Sequence, residues 1–308
     1  MIYIKPPLSF EKQADLLLSR GMQGDREIMI YRLQSVNYYR LSGYWYPYRN
    51  PDDSFKSGLT FDTVWNRYVF DRHLRILIMD AIERIEIAVR TQIAYHHAHR
   101  YGAFCYADDP NSMPQLDTQK YSLFLQRVKD EIDRSRETFV DHFYKKYGDS
   151  HTFLPIWMAT EVMTFGSVLS FFRGMDCTIQ KDISKFFGVP DAVFDSWLLT
   201  LNVIRNICAH HGRLWNRELG IKPKLPYLNK NPLWNFSKPV PNNRIFIVLT
   251  ICQYCLNRIA PQSHWSNRMF SLLKDFPNIP LVSMGFPKNW EQCPIWRNMK
   301  EMDYLAGI

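Results

Sequence analysis

The stretch Leu74-Arg-Ile-Leu-Ile-Met-Asp-Ala-Ile-Glu-Arg-Ile-Glu-Ile-Ala-Val-Arg90 decides the fold class. Leu74, Leu77, Ile78, Ala81, Ile82, Ile85 and Val89 return at three- and four-residue steps with charges between them, which is the period of a helix and not of a strand. Val64 and Tyr68 before it and Ile93 after it keep the pattern going. One long core helix is therefore expected from Thr60 to His99, with a break expected near Asp71. The apolar run Ile76 to Met79 is interrupted by Asp80, Glu83 and Arg84, so it is no membrane span.

Working outward, Ser9 before Phe10 and Gly21 after Arg20 bracket a first helix, and a second is expected from Asp25 to Ser35. Asn37-Tyr-Tyr-Arg-Leu-Ser-Gly-Tyr-Trp-Tyr-Pro-Tyr-Arg49 has too many rings for a solvated loop, while its Gly and Pro disfavour a regular helix. It reads as an aromatic clasp packed on something larger. Asn50 to Gly58 is turn chemistry, and residues 102–116 form a connection. Further helices are expected from Tyr121 to Tyr147, from Pro155 through Phe172, from Thr178 to Phe187 and from Asp191 to about His211. A proline-rich connector over Pro223 to Pro241 leads to a helix from Arg244 to Ile259, capped by Asn242 or Asn243, and another from Trp265 to Lys274. Alternating strand runs are few, so the fold class is mainly α. The expected organisation is an N-terminal helical arm with the clasp over 1–58, a helical core over 59–220, and a connector with a helical extension packed on the core over 221–308.

Composition narrows the function classes. The 308 residues are 46% apolar and 22% charged, which excludes a disordered or collagenous chain. Lys plus Arg outnumber Asp plus Glu by 38 to 30, a formal charge of +8 that favours a polyanionic partner. Aromatic residues reach 15%, enough to fill a core and also to stack on bases. Six scattered cysteines and the absence of an apolar leader point to a reduced, cytoplasmic protein with no membrane contact.

The most polar cluster on an otherwise apolar helix is Arg205-Asn206-Ile-Cys-Ala-His210-His211-Gly212-Arg213. Asn206 and His210 are four apart and share a face, and the long Arg205 side chain is expected to reach the same cleft. The set suits cleavage of a phosphodiester beside a ribose hydroxyl without a metal or any other cofactor. A histidine takes or returns the proton, an arginine fork holds the charge on the phosphorane oxygens, and the amide orients either. The same residues also suit a second role, charge complementing the carbonyl end of a helix.

These residues resemble the R-x4-6-H signature of HEPN ribonucleases, in which a polar residue commonly follows the arginine. The wider chain resembles the Abi-like proteins of the AbiD/AbiF abortive-infection group. The resemblance is carried by Tyr38-Tyr39-Arg40-Leu41-Ser42-Gly43-Tyr44, Phe70-Asp71-Arg72-His73-Leu74-Arg75, Glu83 to Arg90, and Asn206 to Trp215. It spans roughly residues 5 to 225 and implies a HEPN-like helical bundle and a bacterial anti-phage, toxin-like endoribonuclease, related in its catalytic helix pair to the nuclease halves of type VI CRISPR effectors. It also implies a homodimer, with Arg205 and His210 of each subunit lining one composite site. The RNA substrate is then the main partner, and a restraining regulatory RNA or protein antitoxin is left open.

Arg205, Asn206 and His210 are the candidate catalytic residues. His211, Arg213 and Arg90 are candidate RNA contacts, and Glu86 is a candidate support for Arg205 or His210 from behind. Arg90 with His96 repeats the arginine-to-histidine spacing, although a basic helix end explains it as well. Cys252 and Cys255 are read as half-buried thiols and not as metal ligands. The alternative functions are a non-catalytic module that holds a structured RNA, and a regulator acting through protein contacts.

Overall fold

In the computed structural model, which describes residue 2 and residues 6–229, 231–236 and 239–297, the helix Phe61–Tyr101 runs unbroken for 41 residues. That is about 60 Å at the usual rise per residue. Thr60 caps its start by accepting the Thr63 N–H, and Gly102 stops it at φ +97°, a conformation that favours glycine. The break expected near Asp71 does not occur. The Asp71 side chain bonds Arg75 one turn on in the same helix and Tyr44, Leu214 and Trp215 outside it, and takes no hydrogen bond from the helix backbone.

The helices in chain order are α1 (Phe10–Ser19), α2 (Arg26–Ser35), α3 (Tyr38–Trp45), α4 (Phe61–Tyr101), α5 (Cys105–Asp108) and α6 (Thr118–Arg134). They continue with α7 (Thr138–Tyr147), α8 (Ile156–Val162), α9 (Phe165–Gly174), α10 (Cys177–Phe186), α11 (Asp191–Ala209), α12 (Ile245–Ile259) and α13 (Trp265–Asp275). Among the described residues the only β features are the isolated bridges Gln23/Thr60 and Arg49/Phe55, so the protein is mainly α. No helix of the described residues is long and apolar enough to cross a membrane.

Several boundaries differ from the sequence expectation. The aromatic clasp is a helix, α3, which runs through Gly43, while Pro47 sits in a 3-10 turn behind it. Gly43 is there for closeness: a Cβ would lie 3.2 Å from Arg213 Nε. The segment Tyr121 to Tyr147 is two helices, because Ser135 leaves the helical region and its hydroxyl accepts the Glu137 N–H. Pro155 through Phe172 is also two helices, since Met163 turns extended and Thr164 caps α9 by accepting the Ser167 N–H. Neither Asn242 nor Asn243 caps α12. Their side chains bond the Pro223 carbonyl and Glu218 instead.

α4 is the axis of the core. α3, α8, α11, α12 and α13 all pack against it. α12 is buried from Ile245 to Leu256 on every face. α13 is joined to α4 by the Trp265 indole donating to the Leu77 carbonyl at 2.8 Å and by Arg268 pairing with Asp80 at 2.5 Å. Residues 298–308 of the expected C-terminal extension lie outside the described residues.

Candidate active site

α11 begins after Pro190 and turns Phe194, Trp197, Leu198, Leu201, Ile204 and Cys208 into the core. That buried stripe fixes the rotation of its last turns and leaves Arg205 half-buried and Asn206 exposed. The helix ends at Ala209, with His210 as its cap. The His211 N–H donates to the Cys208 carbonyl at 2.9 Å and the Gly212 N–H to the Ile207 carbonyl at 2.7 Å, the paired closure of a Schellman motif. His211 occupies the left-handed position of this motif, at φ +56°, where glycine is usual. Gly212 follows because a Cβ there would lie 2.9 Å from the Ile207 methyl and 3.1 Å from its carbonyl oxygen. Both imidazoles are exposed.

The loop after this helix end is held by a buried carboxylate. Asp71 Oδ1 accepts the Leu214 N–H at 3.1 Å and the Trp215 N–H at 2.6 Å, and Oδ2 accepts the Tyr44 hydroxyl at 2.6 Å and the Arg75 guanidinium. Asp71 has no exposed surface, and burial pushes its pKa upward against the pull of these donors. Arg40 of α3 donates to the His211 carbonyl at 2.6 Å, and Arg75 reaches the Gly212 carbonyl at 3.4 Å. Two distant helices, α3 and α4, thus clamp residues 211–215. Sequence reasoning did not assign roles to Tyr44, Asp71, Arg75 or Arg40, yet all four lie in the stretches Tyr38 to Tyr44 and Phe70 to Arg75 that carry the family resemblance.

All the expected site residues except Asn206 open onto two clefts. One, of about 910 Å³, lies along α4 and is lined by Arg205 and His211 together with Arg72, Arg75, Glu83 and Glu161. The other, of about 560 Å³, lies between α3 and the end of α11 and is lined by His210, His211 and Arg213 with Tyr39 and Arg40. Within one chain, then, Arg205 and His210 do not line a common cleft, contrary to expectation, and only His211 touches both. Five residues of helix turn the two side chains apart by about 140°. Asn206 accepts from Arg205 Nη1 at 3.5 Å.

The remaining candidates have structural engagements. Arg90 donates to the carbonyls of Thr160 and Met163 at the end of α8 and pairs with Glu86, so its fork is taken up by protein. Glu86 meets Arg90 and makes no recorded bond to Arg205 or His210. Arg213 donates to the Trp215 carbonyl at 2.6 Å, and partial burial lowers its pKa. Next to His96, His97 is fully buried, and desolvation lowers its pKa to about 4 against a weaker upward pull from the Ser112 backbone. Cys252 and Cys255 are fully buried in α12, not half-buried, and burial raises both thiol pKa values.

An α-helical body whose central helix, N-terminal arm and Arg-Asn-His helix end converge on one carboxylate defines the class. The sequence model of the family described as Abi-like protein matches residues 31–216, which include α3 of the arm, the whole of α4 and the end of α11. The chain belongs to that family, and membership suggests abortive-infection defence. No curated protein and no solved structure matches it.

Proposed function

We propose that the protein is a metal-independent endoribonuclease of abortive-infection defence that cleaves RNA by attack of a ribose 2′-OH. The observation that carries this reading is the end of α11: His210 and His211 stand exposed, with Arg205 half-buried one turn earlier, and the closing turn is clamped by α3 and α4, which is how a reactive group is kept in place without being buried. His210 takes the 2′-OH proton as the oxygen attacks phosphorus, and an imidazolium returns a proton to the departing 5′ oxygen. Arg205 binds the phosphorane oxygens, with Asn206 holding its fork. The products are a 2′,3′-cyclic phosphate and a 5′-hydroxyl. Because Arg205 and His210 open onto different clefts of one chain, the reading includes a homodimer in which each subunit completes the other's site.

The test is incubation of wild type and His210→Ala with total RNA, with and without EDTA. Wild type leaves cyclic-phosphate ends in EDTA and spares DNA, and His210→Ala loses about 10²–10⁴-fold in rate. Cleavage that vanishes in EDTA, or that survives His210→Ala, overturns the mechanism. RNA binding by a protein that never cleaves would leave the non-catalytic RNA-holding role, which the cationic cleft beside His210 also suits.

A further inference from the structure

The two clefts at the end of α11 differ in charge. Glu83 and Glu161 stand in the larger one with no recorded ion pair, beside Asp80 and Glu86. The residues that line the smaller one include Arg40, Arg213, His210 and His211 and no carboxylate. In the larger cleft these four carboxylates stand against four arginines, Arg72, Arg75, Arg90 and Arg205, so a phosphate chain approaching His210 meets unopposed positive charge only on the side of the smaller one.

The smaller cleft also holds an aromatic face. In α3, Tyr44 and Trp45 turn into the core and Tyr38 is half-buried, but Tyr39 is 86% exposed. Its backbone is fixed, since Asn37 Oδ1 accepts the Tyr39 N–H at 2.7 Å and the Tyr39 carbonyl accepts the Ser42 hydroxyl at 2.6 Å. A lone exposed ring is ordinary on a protein surface. What distinguishes Tyr39 is its place, in a cleft whose opposite wall comes from about 170 residues further along the chain and carries both histidines. The recorded side-chain bonds of Arg40 and Arg213 run through one nitrogen of each fork, Nη1, and a guanidinium carries five N–H donors.

We propose that this cleft is a subsite for single-stranded RNA, in which a base next to the reacting phosphate stacks on Tyr39 while Arg40 and Arg213 hold the adjoining phosphates. The proposal rests on the ribonuclease reading of α11. Stacking needs a free base face, and base pairs in an A-form duplex offer none to a side chain. The ligand is accordingly an unpaired segment, a loop or an end. The tyrosine also makes the site tolerant of sequence, because every base has a face to stack.

The experiment measures binding of a fluorescein-labelled unstructured RNA oligomer by anisotropy, with His210→Ala as the non-cleaving parent. Adding Tyr39→Ala weakens binding about ten-fold or more, and adding Tyr39→Phe leaves it within about two-fold, since the ring and not the hydroxyl is used. The salt dependence keeps its slope in Tyr39→Ala, because no phosphate contact is lost. The same sequence annealed into a duplex binds at least about ten-fold more weakly. Unchanged binding by Tyr39→Ala, equal binding of duplex, or a parent that binds no oligomer overturns the proposal. Cleavage of the oligomer by wild type, scored separately, shows whether the ribonuclease reading falls with it or stands without it.

Discussion

Replacing Asp71 probes the clamp that carries the histidines. In Asp71→Asn one oxygen still faces the Leu214 and Trp215 N–H groups, but an NH₂ replaces the oxygen that met Tyr44 and Arg75. The Tyr44 hydroxyl can turn and accept from it, whereas a guanidinium accepts nothing. Arg75, its side chain 8% exposed, is left without its counter-ion. Removing one partner of a buried pair costs roughly 3–5 kcal/mol, and the retained oxygen places Asp71→Asn near the lower end, about 3 kcal/mol. Asp71→Ala also strands two buried backbone N–H groups at roughly 1–3 kcal/mol each. Its total of about 5–11 kcal/mol is comparable with the whole stability of many domains. Urea unfolding followed by far-UV circular dichroism should show a lower midpoint at unchanged slope for Asp71→Asn and little folded protein for Asp71→Ala. Folded Asp71→Asn should also cleave RNA more slowly than wild type, because residues 211–215 lose an anchor. A cost below about 1 kcal/mol for both variants would refute the clamp.

Two other perturbations test features outside it. His97 has its pKa lowered from 6.5 to about 4 by burial, so between those values the unfolded chain binds a proton that the folded one does not. Stability is complete above pH 6.5 and declines as pH falls toward 4, by about 2 kcal/mol at pH 5. His97→Leu should flatten that decline, and equal pH slopes in urea titrations of the two proteins would contradict the assignment. At His211, φ +56° penalises any Cβ, so His211→Gly should be about 1 kcal/mol more stable than His211→Ala although both lose the same imidazole. Equal unfolding midpoints for that pair would show that the left-handed turn is not populated.

Much of the fold was legible because its signals are local. The period of Leu74 to Val89 names α4, and Ser9, Asp25 and Thr60 cap their helices through N–H groups three residues on. Legibility failed where a distant contact outweighed the local pattern. Gly43 argued against a helix in the clasp, yet α3 forms and uses that glycine to admit Arg213. Asp71 looked like an interruption because its partners Leu214 and Trp215 are 143 and 144 residues away. Arg90 looked available for RNA, but the end of α8 folds onto it.

The amino-acid sequence by itself determined that the chain is helical, where most helices begin, and that an Arg-Asn-His cluster closes one of them, since period, capping and composition act within a few residues. Tertiary structure alone decided what that cluster faces. The rotation of α11 is set by the burial of Trp197, Leu201 and Ile204, and the path of its closing turn by Asp71 and Arg40. Those two constraints send Arg205 and His210 into different clefts, one bearing carboxylates and one without them, because side-chain direction at a helix end depends on what the other helices bury and bond.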